Sequence, residues 1–231
     1  MTKRFGVLAL SLVGTATMAA TFAAQPVPPI EGLWSYQAIA PSGQSEVPIQ
    51  GFIVFHAGRF VQQTLNVGEP YEKQVAQAHA GTYRVDGRHL RLMADVGFVV
   101  TPTNSPPVDA RHRSTHELTV AQSEDTLTLT FNTGTVQKLT RAGPGNGRVY
   151  PLREGALALV DGRFVLVADV GGRAIAGSGS FERVRETLTL HPNRWFSLRD
   201  DIPVYAREPI VATFDEQTLR IPGEPVLSVR K

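Results

Sequence analysis

Six histidines and no cysteine set the chemistry open to this chain of 231 residues. Without a thiol there is no disulfide framework, thiolate zinc site or cysteine nucleophile. Two histidines stand where geometry can use them: His79 and His116 each lie at the start of a segment that alternates along its length. Every second side chain of a strand shares a face. His79 therefore falls with Gly81, Tyr83 and Val85, and His116 with Ser114, Leu118 and Val120, while Thr115, Glu117 and Thr119 suit solvent. In an up-and-down meander the even-numbered strands run the same way, so both imidazoles reach one rim and face inward. Two imidazoles beside one small molecule can pass protons to and from it near neutral pH. The strand before His79 ends at the same rim and brings Gln62 or Gln63 there, depending on which of its faces points inward. The alternative, that both histidines are hydrated polar residues at strand ends, stays open.

Other arrangements lead to less. His112 and His116 are four residues apart, about 13 Å along a strand, too far to share a metal. Gly177-Ser178-Gly179-Ser180 lacks the register of a nucleophile elbow and reads as a bend. Neither a phosphate loop nor a dinucleotide fingerprint occurs. No cofactor and no metal site is expected. Arg59 and Arg163 each follow a turn glycine and read as exposed hairpin exits.

The elements that must position these residues are strands. Hydrophobic residues make up 42% of the chain and charged residues 19%, a mixture that folds rather than staying disordered. Lys3 and Arg4 precede an apolar stretch around Phe5 to Val13 and then small residues through Ala24, the layout of a secretory signal. Cleavage after Ala23 fits best, with Ala19 nearly as acceptable. Met1 to Ala23 contains no acid, so the formal net charge of +2 belongs to Lys3 and Arg4, and the remainder is balanced. That balance removes the support for a nucleic-acid partner. Ser11, Gly14, Thr15 and Thr17 dilute the segment below a typical membrane span, so no stable membrane insertion is expected after cleavage. The expected location is secreted or periplasmic.

Beyond the Pro-rich stretch from Gln25 to Pro29, short alternating segments are separated by turn residues, with no sustained helical period. The expected fold is all-β. The hairpin from Gly51 to Leu65, turning at Ala57-Gly58, is repeated from Gly155 to Val167 at a shift of 104 residues. Gly81-Thr82-Tyr83 matches Gly179-Ser180-Phe181 at a shift of 98, and Thr126-Leu127 matches Thr218-Leu219 at a shift of 92. Ordered matches at shrinking shifts imply duplication of one β module with loops shortened in the second copy. The expected division is a signal at 1–23, an eight-stranded barrel at 24–142, a Gly/Pro joint at 143–147 and a shorter barrel-like repeat at 148–231. A joint of this length has little reach, so the modules should touch. One larger curved sheet formed by both copies is the competing architecture.

Gly32-Leu33-Trp34, the hairpin from Gly51 to Phe60, and Ala80-Gly81-Thr82-Tyr83 with Asp86-Gly87 occur in an order and spacing that resemble the lipocalin-like barrels of the calycin group. The resemblance covers about Ile30 to Arg141; the second module joins it only through the internal repeat. It implies an antiparallel up-and-down barrel with Trp34 packed across a closed end. It also implies a small hydrophobic ligand or, less often, a cofactor-independent isomerisation or cyclisation.

These readings converge on a cavity apolar below, with Tyr83 and Phe131, and polar at its mouth, with His79, His116 and a Gln62 or Gln63 amide. The first expectation is an exported protein binding a small hydrophobic molecule there. The second is a cofactor-independent isomerase, cyclase or lyase with His79 and His116 as proton donor and acceptor and Tyr83 as an orienting hydroxyl. The third is a cell-envelope interaction module with filled barrels, using the segments Asn66 to Gln77 and Asp95 to Arg113. His79 corresponds to Gly177 and His116 to Glu208 in the repeat, which assigns any function of this rim to the first module.

Overall fold

Alternating segments broken at glycines produce two antiparallel sheets in tandem. The structure is a computed structural model that describes residues 30–68, 70, 73–104, 107–110, 113–199 and 202–231. The segment read as a signal and His112 lie outside those residues. The first sheet contains β1 (Gly32–Ala40), β2 (Val47–His56), β3 (Arg59–Asn66), β4 (Ala76–Asp86), β5 (His89–Val100), β6 (Val108–Ala110), β7 (Ser114–Ser123), β8 (Thr126–Phe131) and β9 (Val136–Gly143). Strand β1 pairs with both β2 and β9, and β4 pairs with β5, so eight strands close into a ring. The short β6 lies outside that ring, paired only to the end of β5. Closure removes the exposed edges that an open sheet offers to other chains.

The second sheet contains β10 (Gly147–Leu152), β11 (Gly155–Val160), β12 (Arg163–Val170), β13 (Arg173–Val184), β14 (Thr187–Arg199), β15 (Ile202–Val204), β16 (Ile210–Phe214), β17 (Thr218–Arg220) and β18 (Leu227–Ser228). Eight of these follow one another from β10 to β18, with β15 to the side on β14. A single bridge from Leu152 to Val229 brings the last residues back to the first strand, so this barrel is nearly closed. The structure therefore contains two barrels and not one fused sheet.

The duplication is written in backbone geometry as well as in residue types. Ala57 and Gly58 take φ of 48° and 74°, and Asp161 and Gly162 take 50° and 72°. Two successive left-handed residues are what a two-residue hairpin loop needs. At Gly51 an added Cβ would lie 2.0 Å from the carbonyl oxygen of Gln63, and at the matching Gly155 2.0 Å from that of Val167. Strand pairing shifts between Ala80 and Gly81 against β5, and between Ser178 and Gly179 against β14. Gly177 to Ser180 lie inside β13, in the strand that repeats Gly81, and the bend read there is a bulge in the pairing, with Asn193 the extra residue on β14.

The segment from Asp95 to Arg113, which the third expectation uses for partner binding, is partly strand. The bulge at Asp95 lets β5 continue to Val100, and β6 follows. An extra residue on one strand reverses the faces beyond it, so Val96, Phe98 and Val100 turn outward. They meet the outward faces of β3 and β4, with Val61, Leu65, Ala76, Ala78 and Ala80, in a buried layer. Ala156, Ala158, Val160, Val165, Val167, Ala174, Ala176, Phe196 and Leu198 of the second barrel form its other half. Alternating alanines on both sides let the sheets approach closely. Burying one Val, Leu or Phe stabilises by roughly 1.5–3 kcal/mol. Exposing this layer would cost more than a typical domain's net stability of about 5–15 kcal/mol, so the barrels act as one unit.

Candidate functional site

The interior of the first barrel has an apolar end and a polar end. At the apolar end Trp34, Ile53, Phe55, Phe60 and Leu90 are buried together. The Trp34 indole N–H donates to the Ile30 carbonyl at 2.7 Å, and the Arg141 guanidinium lies over the indole, 4.2 Å from its centroid. Arg141 Nη1 also donates to the Glu31 carbonyl at 3.1 Å. These contacts tie the entry of β1 to β9 and close the barrel floor.

Tyr83 belongs to this floor. Its hydroxyl donates to Glu31 Oε1 at 3.0 Å, and its ring meets Phe55 edge-on with centroids 5.1 Å apart. Burial first, and then the carboxylate beside it, push the phenol well above its ordinary range. Four residues separate Tyr83 from His79 on β4, about 13 Å along a strand. Its hydroxyl is held by Glu31 at the floor, away from His79.

The polar end begins with His79, which is 7% exposed. Its neighbours across the ladders are Gln62 on β3 and Gly97 on β5. Gly97 has no side chain to compete for the space. Gln62 Nε2 lies 2.8 Å from His79 Nδ1, and the Tyr36 hydroxyl donates to Gln62 Oε1. The amide oxygen takes the tyrosine proton, so the amide nitrogen donates to the imidazole. His79 Nδ1 is thereby the acceptor, and the proton of its neutral ring sits on Nε2. Burial pushes the Tyr36 phenol far above its usual value, keeping it a neutral donor.

His116 on β7 completes the group. Its ring is 5.9 Å from that of His79, nearly perpendicular at 79°, and 5.9 Å from the Phe131 ring on its other side. Tyr36, Gln62, His79, His116 and Phe131 thus form a continuous row contributed by β1, β3, β4, β7 and β8. Gln62 is the amide at this rim. Gln63 faces the other way, fully buried between the barrels, and its Oε1 accepts from Ser178 Oγ at 2.6 Å.

Tyr36 was not among the residues singled out from sequence. Its signal is its place two residues after Trp34, which puts both aromatics on one face of β1. Arg163 is also more than a hairpin exit: its guanidinium lies 5.7 Å from the Phe52 ring of the first barrel. Among the described residues no three His, Cys, Asp or Glu side chains gather as a metal site.

The second barrel answers Tyr36, Gln62 and His79 with apolar side chains, and His116 with the exposed Glu208. Gln62 matches Leu166 in the repeated hairpin, and Leu152, opposite Gly155, corresponds to Tyr36, which follows the Ser35–Phe52 pair on β1. The pair His79 and Gly97 becomes Gly177 and Trp195. An added Cβ at Gly177 would lie 2.4 Å from the Trp195 ring, so the indole occupies the place that the imidazole fills in the first barrel. Compared with protein-family models, curated proteins and solved structures, the chain matches none.

Proposed function

We propose that the first barrel binds a small, mainly apolar molecule whose polar group rests against His79 and His116, with Gln62 fixing the His79 ring and Phe131 lining the approach. One observation carries this reading. Tyr36, Gln62 and His79 are buried or half-buried polar chemistry in a copy of the module whose sister packs Leu152, Leu166 and Trp195 at the same positions. Packing alone is satisfied by the apolar set. Desolvating an amide, a phenol and an imidazole is unfavourable unless their hydrogen bonds are kept, and their retention favours a ligand that uses them. The lipocalin-like order of Gly32-Leu33-Trp34 and the later motifs supports the same reading, as do the closed floor and the polar rim. The proposal includes export, from the layout of the first 23 residues. It needs neither nucleic acid nor membrane insertion.

Mass spectrometry of organic extracts from gently purified protein tests this. The expected result is a recurring molecule of mainly apolar composition with one polar group, depleted in His79→Leu. Extracts without any such molecule, from protein that also fails to take up apolar probes at this rim, would sink the reading.

A second reading, proton-transfer catalysis of an isomerisation, cyclisation or elimination, is favoured by the 5.9 Å between the two imidazole rings. That spacing lets both reach one small reacting centre. Turnover of a bound molecule that stops in both His79→Gln and His116→Gln while binding persists would select it over simple binding.

A further inference from the structure

The repeat places a second mouth at the same end of the second barrel, and its chemistry differs. A cavity of about 350 Å³ opens there, lined by Trp195, Val204, Ala206, Ile210, Ile221 and Glu224 among others. This is within the lower part of the range of small-molecule sites, roughly 300–1,000 Å³. Strand β15 supplies one wall, as Val204 pairs with Ser197 at the end of β14. Trp195 forms part of the lining, so the indole that replaces the imidazole presents a surface to whatever enters.

The polar part of this lining is built, not incidental. Arg199 donates to Glu224 Oε1 through Nε at 3.0 Å and Nη2 at 2.6 Å. Both donors converge on one carboxylate oxygen. The Glu224 side chain is 0% exposed, and its Oε2 has no hydrogen-bond partner. A buried carboxylate oxygen without a donor is an expensive thing to leave unmade. Gly223, at φ of 77°, makes the arrangement fit: a Cβ there would lie 2.8 Å from Arg199 Nη1. Glu208 lines the cavity as well. Against one guanidinium stand two carboxylates, so the local charge favours a cation and opposes an anion.

We propose that the mouth of the second barrel is a separate binding site for a small hydrophobic amine, the buried Glu224 carboxylate turning toward the cavity so that Oε2 accepts from the ammonium while the apolar body lies against Trp195, Ile210 and Ile221. An ammonium near the indole also gains from the ring's negative face. This site is independent of the one proposed for the first barrel and asks for the opposite character: a donor here, where the other rim offers imidazoles.

Titration calorimetry on the full chain with 2-phenylethylamine and with 3-phenylpropanoate tests it, since the two share an apolar body and differ in the sign of the head group. The amine should bind with one-to-one stoichiometry and change tryptophan fluorescence, and the acid should bind at least roughly tenfold more weakly. Glu224→Gln should weaken the amine by roughly tenfold or more. Ala206→Trp fills the cavity while keeping both charged residues and should abolish binding, which decides the matter even if Glu224→Gln fails to fold. His79→Leu should leave the amine unaffected, separating this site from the first. Equal binding of amine and acid, no heat from the amine at millimolar concentration, or full binding by Ala206→Trp would each overturn the proposal.

Discussion

The two barrel mouths share a backbone and differ in which strand fills one position. In the first, His79 on β4 faces Gly97 on β5; in the second, Trp195 on β14 faces Gly177 on β13. A glycine in each pair makes room for the side chain opposite. Moving the bulk from one strand to its neighbour changes that position from a hydrogen-bonded imidazole to an indole. The lesson is that the module tolerates either occupant, so the polar row of the first mouth is not demanded by the fold. The floors tell the complementary story, since Phe60 and Phe164 are both fully buried at matched positions.

The sharpest test of this contrast compares truncations of the two occupants. Trp195→Ala should lower stability by about 3–5 kcal/mol, as large buried aromatics do. His79→Ala should cost about 1–3 kcal/mol, chiefly from leaving the Gln62 amide without its acceptor. Denaturant midpoints for both variants measure the difference, and equal losses would mean that His79 is packing like its counterpart. Next in size is Gly177→His, which places an imidazole where the second barrel already holds an indole. Overpacking should cost about 1–3 kcal/mol, read as a fall in melting temperature, and an unchanged protein would show that the slots are not equivalent.

A smaller effect reports on the first barrel through pH. Tyr36 and Tyr83 of the first barrel are both held neutral by their surroundings, with folded values raised above the unfolded one near 10. A raised value means that the unfolded chain loses its phenolic protons first, so stability is full below about pH 10 and declines as pH climbs beyond it. The part of the tyrosinate absorbance that Tyr36→Phe and Tyr83→Phe remove should therefore appear with unfolding rather than before it, and Tyr36→Phe should flatten part of the decline. A tyrosinate signal from Tyr36 in the folded state would contradict its burial. Smallest of all, Arg141→Ala should cost about 0.5–2 kcal/mol, from the guanidinium over Trp34, and should leave ligand binding at the distant rim unchanged.

Much of this was legible because a strand's period is two. The inward phase of β4 and β7 put His79 and His116 on one rim, and the shared glycines of the two hairpins exposed the duplication. Legibility failed where both faces of a strand are buried. Strand β3 packs Phe60 inward and Val61 outward against the second barrel, so alternation carries no sign there, and Gln62 could not be told from Gln63. It failed again at Asp95, where one extra residue reverses the phase and makes Val96 to Val100 look like a loop. Tyr83 was placed on the correct face, but sequence gave no view of Glu31 reaching its hydroxyl from before β1.

The closure between β1 and β9 has a kinetic meaning. Most other pairings in the first barrel join strands that are near in sequence, whereas Leu33 meets Gly143 only after more than a hundred residues have been laid down. Such a contact closes the longest loop, so the chain loses the most freedom on making it. Arg141 over Trp34, with its donor on the Glu31 carbonyl, sits on that seam. It fastens the join whose two sides lie farthest apart along the first barrel's chain.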